Sequence, residues 1–267
     1  MTQARRAPFS YRTLDELTIE DEGAFRHIAL YADLKQVLQR AGYPFRVLPA
    51  AYSKRADRAL LLNLTFWHAD AGGDLLTEAV VDADVVAHAA WHHVAARALH
   101  RKRAGKPSVA ALFLGEAVAS AFDVYMVGQL IGHARRSSFL ETQVPAMAEA
   151  ADAAGMTERA FEQLLQSIAA DPDRAFVDLR ALLFDATSAL FRCQSAEQAH
   201  LELHAFAAHR FSALLHRYEL SNWVLYARAF GSTRADSRAQ AVDRALRKHK
   251  HAIDWLTAHW VRPALQP

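Results

Sequence analysis

The run from Val109 to Gly132 constrains this chain more than any other stretch. It is 24 residues of almost unbroken apolar character, interrupted by two acids, Glu116 and Asp123. A segment of that length is able to cross a bilayer as a helix. Each acid at the bilayer centre would cost roughly 2.5–3.5 kcal/mol if aspartate-like values hold for both. The expectation is therefore the buried central helix of a soluble protein, with no membrane partner. Two acids on a buried helix then need an explanation, because an unpaired carboxylate out of water is expensive.

The rest of the chain supports a helical reading. With 10 Gly and 8 Pro in 267 residues, and abundant Ala and Leu, the composition favours helices over sheets. Capping residues and breakers predict helices over 82–99 and 108–132, then near 138–153, 157–170, 173–192, 196–228 and 236–261. An amphipathic segment from Ala24 to Arg40 follows a polar stretch rich in acids, Asp15 to Glu22. Arg58 to Trp67 reads as a strand or a buried helix, and 70–74 as a turn. The expected architecture is mainly α: a polar segment over 1–23, then a single helical domain over 24–267. This is a bundle of about eight helices with room for one short β element.

Charge and cysteine content narrow the function classes. The 31 basic and 29 acidic residues leave a formal charge of +2, which gives no concentrated basic face for nucleic acid. The basic stretch from Arg244 to His251 lacks interleaved aromatics and reads as a solvated surface. The one cysteine, Cys193, closes no intrachain disulfide and reads as a packed side chain. The first residues lack the apolar core of a signal peptide, so the expected location is the cytoplasm.

Chemistry enters at Val85-Val-Ala-His-Ala-Ala-Trp-His-His-Val94. His88 and His92 are four apart on a predicted helix, so both imidazoles leave one face and can chelate one metal ion. His93 is turned by about 100° and is a neighbour rather than an equivalent ligand. Glu116, on the following apolar helix, supplies a carboxylate that a metal would keep ionised. Asp123, seven positions on, shares the face of Glu116 and is a candidate to orient a ligand from behind. The alternative is a hydrogen-bonded or ion-paired network with no metal.

His88-Ala-Ala-Trp-His92, followed by Gly115-Glu-Ala-Val-Ala-Ser120, resembles the zinc site of gluzincin metallopeptidases. That family has His-Glu-x-x-His on one helix and a glutamate ligand on a later one. The resemblance covers about 40 residues and implies that His88, His92 and Glu116 are zinc ligands, with a peptide or small molecule as substrate. It also implies a general base at position 89, where this chain has Ala89. General-base assistance is typically worth about 10²–10⁴-fold. Ala89 therefore marks a base-deficient hydrolase, a base supplied from elsewhere, or a replacement that traps an inactive form. Tyr125 is a candidate to stabilise an oxyanion beside the metal.

The same three ligands fit a second chemistry. Two histidines and a carboxylate with open positions describe the facial triad of non-haem iron oxygenases, which does not need the missing base. Glu197-Gln-Ala-His200 is one Glu-x-x-His pair of the kind used in di-iron bundles, where two are needed. His200 and His204 share a face, but Glu197, Glu202, Arg210 and Arg217 surround them and predict a solvated surface. Asp178 and Asp185, also on one face, are expected to meet basic side chains or line a polar cavity. Glu141 reads as an acid placed at a helix start. A third class, a non-catalytic helical binding protein, follows if these polar residues are structural.

Overall fold

The structure is a computed structural model and describes residues 9–49, 74–100, 105–133 and 136–266. The described residues are 71% helical, which establishes the mainly α class expected from composition. Twelve α-helices occur among the described residues rather than about eight, because the expected segments 24–40, 196–228 and 236–261 are each broken. The chain forms two compact units, residues 1–90 and 91–267, and the division falls within one continuous helix.

The first unit contains more β structure than the sequence suggests. Strand β1 (Ser10–Arg12) pairs antiparallel with β3 (Phe45–Val47), and β3 pairs in parallel with β4 (Leu75–Leu76). Separately, β2 (Thr18–Glu20) pairs in parallel with β5 (Val80–Asp82). The polar N-terminal stretch thus supplies two strands. Helices α1 (Glu22–Phe25) and α2 (Ala29–Ala41) follow it. α2 buries Tyr31, Leu34, Val37 and Leu38 and ends at Gly42, whose φ of 55° is the left-handed turn that glycine adopts freely. The apolar stretch 58–67 and the turn at 70–73 lie outside the described residues. From β5 the chain passes directly into α3 (Ala83–Leu99).

The second unit is built around α4 (Val109–Leu130), the apolar run of the sequence. Its most apolar window is 72% buried within the fold, although by length and composition alone it is able to cross a membrane. Ser108 caps it by accepting a hydrogen bond from the Ala111 amide. Helices α5 (Ser138–Ala153), α6 (Glu158–Ala170) and α7 (Pro172–Arg192) follow, and α4 packs chiefly along α7. At Gly128 the approach is close enough that an added Cβ would stand 2.7 Å from the Ile168 carbonyl.

The predicted helix 196–228 is three pieces: α8 (Ala196–His204), a 3₁₀ segment (Ser212–Tyr218) and α9 (Leu220–Phe230). The predicted 236–261 helix divides into α10 (Ser237–Lys248) and α11 (Ala252–Leu256), which runs on through a π-helical turn (Thr257–Val261) into α12 (Arg262–Leu265). Neither 196–228 nor 236–261 contains Gly or Pro, so nothing in their composition marks the breaks. Tertiary packing accounts for the first of them. Phe211, Leu214 and Leu215 are buried in the 3₁₀ segment and its approach, and Glu219 takes a left-handed φ of 47° where α9 begins.

Charged residues of α7 pair with arginines of the same helix and of later segments. Asp178 meets Arg174 at 2.8 Å and Arg210 at 3.0 Å, and Asp185 meets Arg247 at 2.6 Å. Of the two roles open to this pair of aspartates, pairing with arginines is the observed one. Arg247 also bonds Asp243, which binds the fully buried Arg180. Cys193 is buried, its thiol directed at the Ala189 carbonyl, and Glu141 lies in the first turn of α5.

Candidate metal centre

α3 brings its histidines to one place by helical repeat alone. His88 and His92 are one turn apart and leave the same side of the helix. Their neighbours hold the helix in position: Val86, Ala87, Ala89, Ala90, Trp91, Val94 and Ala95 are all buried. α4 passes α3 in the opposite direction. Ala95 faces Gly115, where an added Cβ would stand 3.6 Å away, while the rings of Trp91 and Phe122 meet edge-on at 5.3 Å. Small side chains at the first contact let the helices approach, and the aromatic pair fixes their register. Glu116 follows Gly115 and is thereby presented to His92.

His88, His92 and Glu116 each offer one ligand atom, and these atoms lie within 4.8 Å of one another. His92 Nε2 and Glu116 Oε2 are 3.6 Å apart. That is too long for a hydrogen bond between them. It is close to the separation, about 3.4 Å, of two ligands each held near 2.1 Å on a tetrahedral ion. The His92 side chain is 35% exposed and that of Glu116 20%, so the group is partly dehydrated and still open to solvent. The donor set, two imidazoles and a carboxylate, suits zinc or iron(II). No other group of three such side chains forms among the described residues. The exposed His200 and His204, with ring centres 6.4 Å apart, therefore remain a pair.

The other candidate residues fall elsewhere. Ala89 is 2% exposed, so its methyl is enclosed by protein. Asp123 is not one of the three grouped ligands; it lies on α4 next to Phe122. Its charge also acts on Tyr218, whose phenol is held well above its ordinary pKa, chiefly by burial and then by Asp123. His93 is shifted towards its neutral form by burial and by Arg97.

Tyr125 is not part of the cluster. Nine positions after Glu116, it stands two and a half turns along α4 and on the opposite side. Its ring stacks on Phe122 at 5.2 Å, and its hydroxyl lies near Gln129, Asp173 and Asp254. Burial first, then those two carboxylates, push its pKa up to about 12. The acids around Tyr125 come from α7 and α11, and no local spacing in the sequence points to them. Comparison of the chain with protein-family models, curated proteins and solved structures finds no match.

Proposed function

We propose that this is a metal-binding helical protein in which His88, His92 and Glu116 hold one zinc ion, in a gluzincin-like site that lacks its usual base. The observation that carries this reading is the approach of three ligand atoms, from two helices, to within 4.8 Å of one another. Zinc, when bound, supplies a Lewis acid that polarises a carbonyl and makes water more acidic. The chain's own residues supply the rest. Two imidazoles locked on one helical face fix the direction of binding, and Glu116 offsets part of the ion's charge. Asp123 serves as a positioning residue behind them, and the partial exposure of His92 leaves a side open to a small-molecule or peptide substrate.

At position 89 no side-chain atom accepts a proton, so hydrolysis by the protein as it stands is slow or absent. The same observation favours a second reading, in which iron(II) occupies the site and the protein is a non-haem oxygenase, since that chemistry does not draw on a base at 89. Metal analysis of protein purified without chelator or nickel resin separates the two. One equivalent of zinc is the expected result, and one equivalent of iron with an oxygen-sensitive spectrum supports the second reading. His88→Ala/His92→Ala should bind neither metal, and Glu116→Gln should bind weakly. A folded double variant that keeps full metal content overturns the site. No metal under any loading condition leaves a non-catalytic helical binding protein.

A further inference from the structure

Within the second unit, a cavity of about 310 Å³ opens where the first turn of α4, the end of α7 and the start of α10 meet. Its size is at the lower end of ligand pockets, roughly 300–1,000 Å³, which suits one or two rings and not a peptide. None of His88, His92 and Glu116 lines it, so the inference does not rest on the metal reading.

The lining has two chemical parts. One is an aromatic floor, Phe113 and Phe191, whose rings meet at 72° with centres 5.8 Å apart. Phe191 is held firmly: Arg228 lies 5.9 Å from its ring centre and donates to the carbonyls of Phe191 and Cys193. A third ring is able to join such a pair edge-on. The other part is polar. Arg192 and Arg234 both line the cavity, and neither guanidinium has a hydrogen-bond or ion-pair partner among the described residues. The half-buried Ser188 adds a hydroxyl.

Asp236 is the one acid in the lining, and it is already satisfied. It accepts the Ser108 hydroxyl at 2.6 Å and the amides of Arg238 and Ala239 at 3.0 Å. The α4 terminus is likewise occupied, since the Val109 amide donates to the Ser232 carbonyl and the Ala111 amide to Ser108. Two guanidinium charges against one saturated carboxylate leave one positive charge uncompensated. Guanidinium groups pair with carboxylates in a planar fork. We propose that this cavity binds a small aromatic monocarboxylate, its ring on Phe113 and Phe191 and its carboxylate between Arg192 and Arg234.

The test is titration of the full chain with 2-naphthoate, followed by calorimetry and by amide NMR of residues 232–236. The neutral 2-naphthylmethanol and inorganic phosphate are run beside it. Saturable naphthoate binding is expected, with both comparison compounds at least about tenfold weaker. Arg192→Ala and Arg234→Ala, both at exposed positions, should each weaken naphthoate by about tenfold or more without lowering thermal stability. Thr233→Trp, on the exposed rim, should block it. No saturable binding overturns the proposal, as does equal affinity for the neutral alcohol or for phosphate. Naphthoate binding unaffected by both arginine variants also overturns it.

Discussion

At position 89 a single methyl group stands where the resemblance requires a carboxylate, and its enclosure sets what a restored base would do. A glutamate there is forced either into packed protein, where a lone carboxylate is expensive, or towards the metal, which would hold it ionised. We expect Ala89→Glu to melt lower than the parent without metal and to recover much of that loss when zinc is added. The zinc-loaded variant should show chelator-sensitive cleavage of a peptide library that the parent lacks. A structure of the zinc-loaded protein in which residue 89 points away from the ion would overturn the peptidase-derived reading. Asp123→Asn should weaken metal binding by about 10–100-fold, the range for a partner acting behind a ligand, as read by competition with a chelating dye. Unchanged affinity would remove Asp123 from the metal site. The approach of His88 to His92 was legible in the sequence because an i, i+4 pair is a local geometric statement, while that of Glu116 needed the helix after it. Tyr125 was misleading because nearness in sequence to Glu116 carries no information about helical phase: nine positions place it on the other side.

Elements were legible where side chains mark their ends. Ser108, Ser137, Thr157, Asp171, Ser195 and Asp236 each accept a hydrogen bond from an amide in the first turn of the helix they precede. The β elements were not, because strands of two or three residues carry no period and their partners lie far away, as Tyr11 with Arg46 does. The break after His204 was invisible for a related reason, since burial of Phe211 and Leu214 imposes it without a Gly or Pro. Two element-scale tests follow. Gly128→Ala should destabilise the protein by about 1–3 kcal/mol in denaturant melts, because its methyl would meet the Ile168 carbonyl and Pro172 with little room to give. Asp236→Ala should cost about 1 kcal/mol through loss of the α10 cap. Burial alone would raise the Asp236 pKa, but the Ser108 hydroxyl and the Ala239 and Arg238 amides more than offset it and hold the carboxyl below its ordinary range. A carboxyl depressed by folding contributes stability fully above its unfolded pKa, about 3.9, and loses it as pH falls through the folded value. The advantage of the parent over Asp236→Asn should therefore be constant near neutrality and shrink below about pH 4. An advantage that grows on acidification would reverse the assignment.

For the molecule as a whole, an ion held as proposed would link folding to metal binding. His88 and His92 are on α3 and Glu116 is on α4, with 23 residues between His92 and Glu116, so the unfolded chain holds these groups apart. An ion that binds only the folded chain adds RT ln(1 + [L]/Kd) to stability, about 2.7 kcal/mol at a hundredfold excess over Kd. For a domain of roughly 150–250 residues each kcal/mol raises the midpoint by about 2–4 °C. Zinc at that excess should therefore raise the melting midpoint by roughly 5–11 °C, and a chelator should return it to the apo value. The scan is run on the parent, on Glu116→Gln and on His88→Ala/His92→Ala, each first shown to be folded by circular dichroism without metal. The parent should shift fully, Glu116→Gln by a smaller amount at the same zinc concentration, and the double variant not at all. Equal shifts in all three would show that zinc stabilises the protein from some other place, such as the exposed His200 and His204, and would remove the α3–α4 cluster as the metal centre.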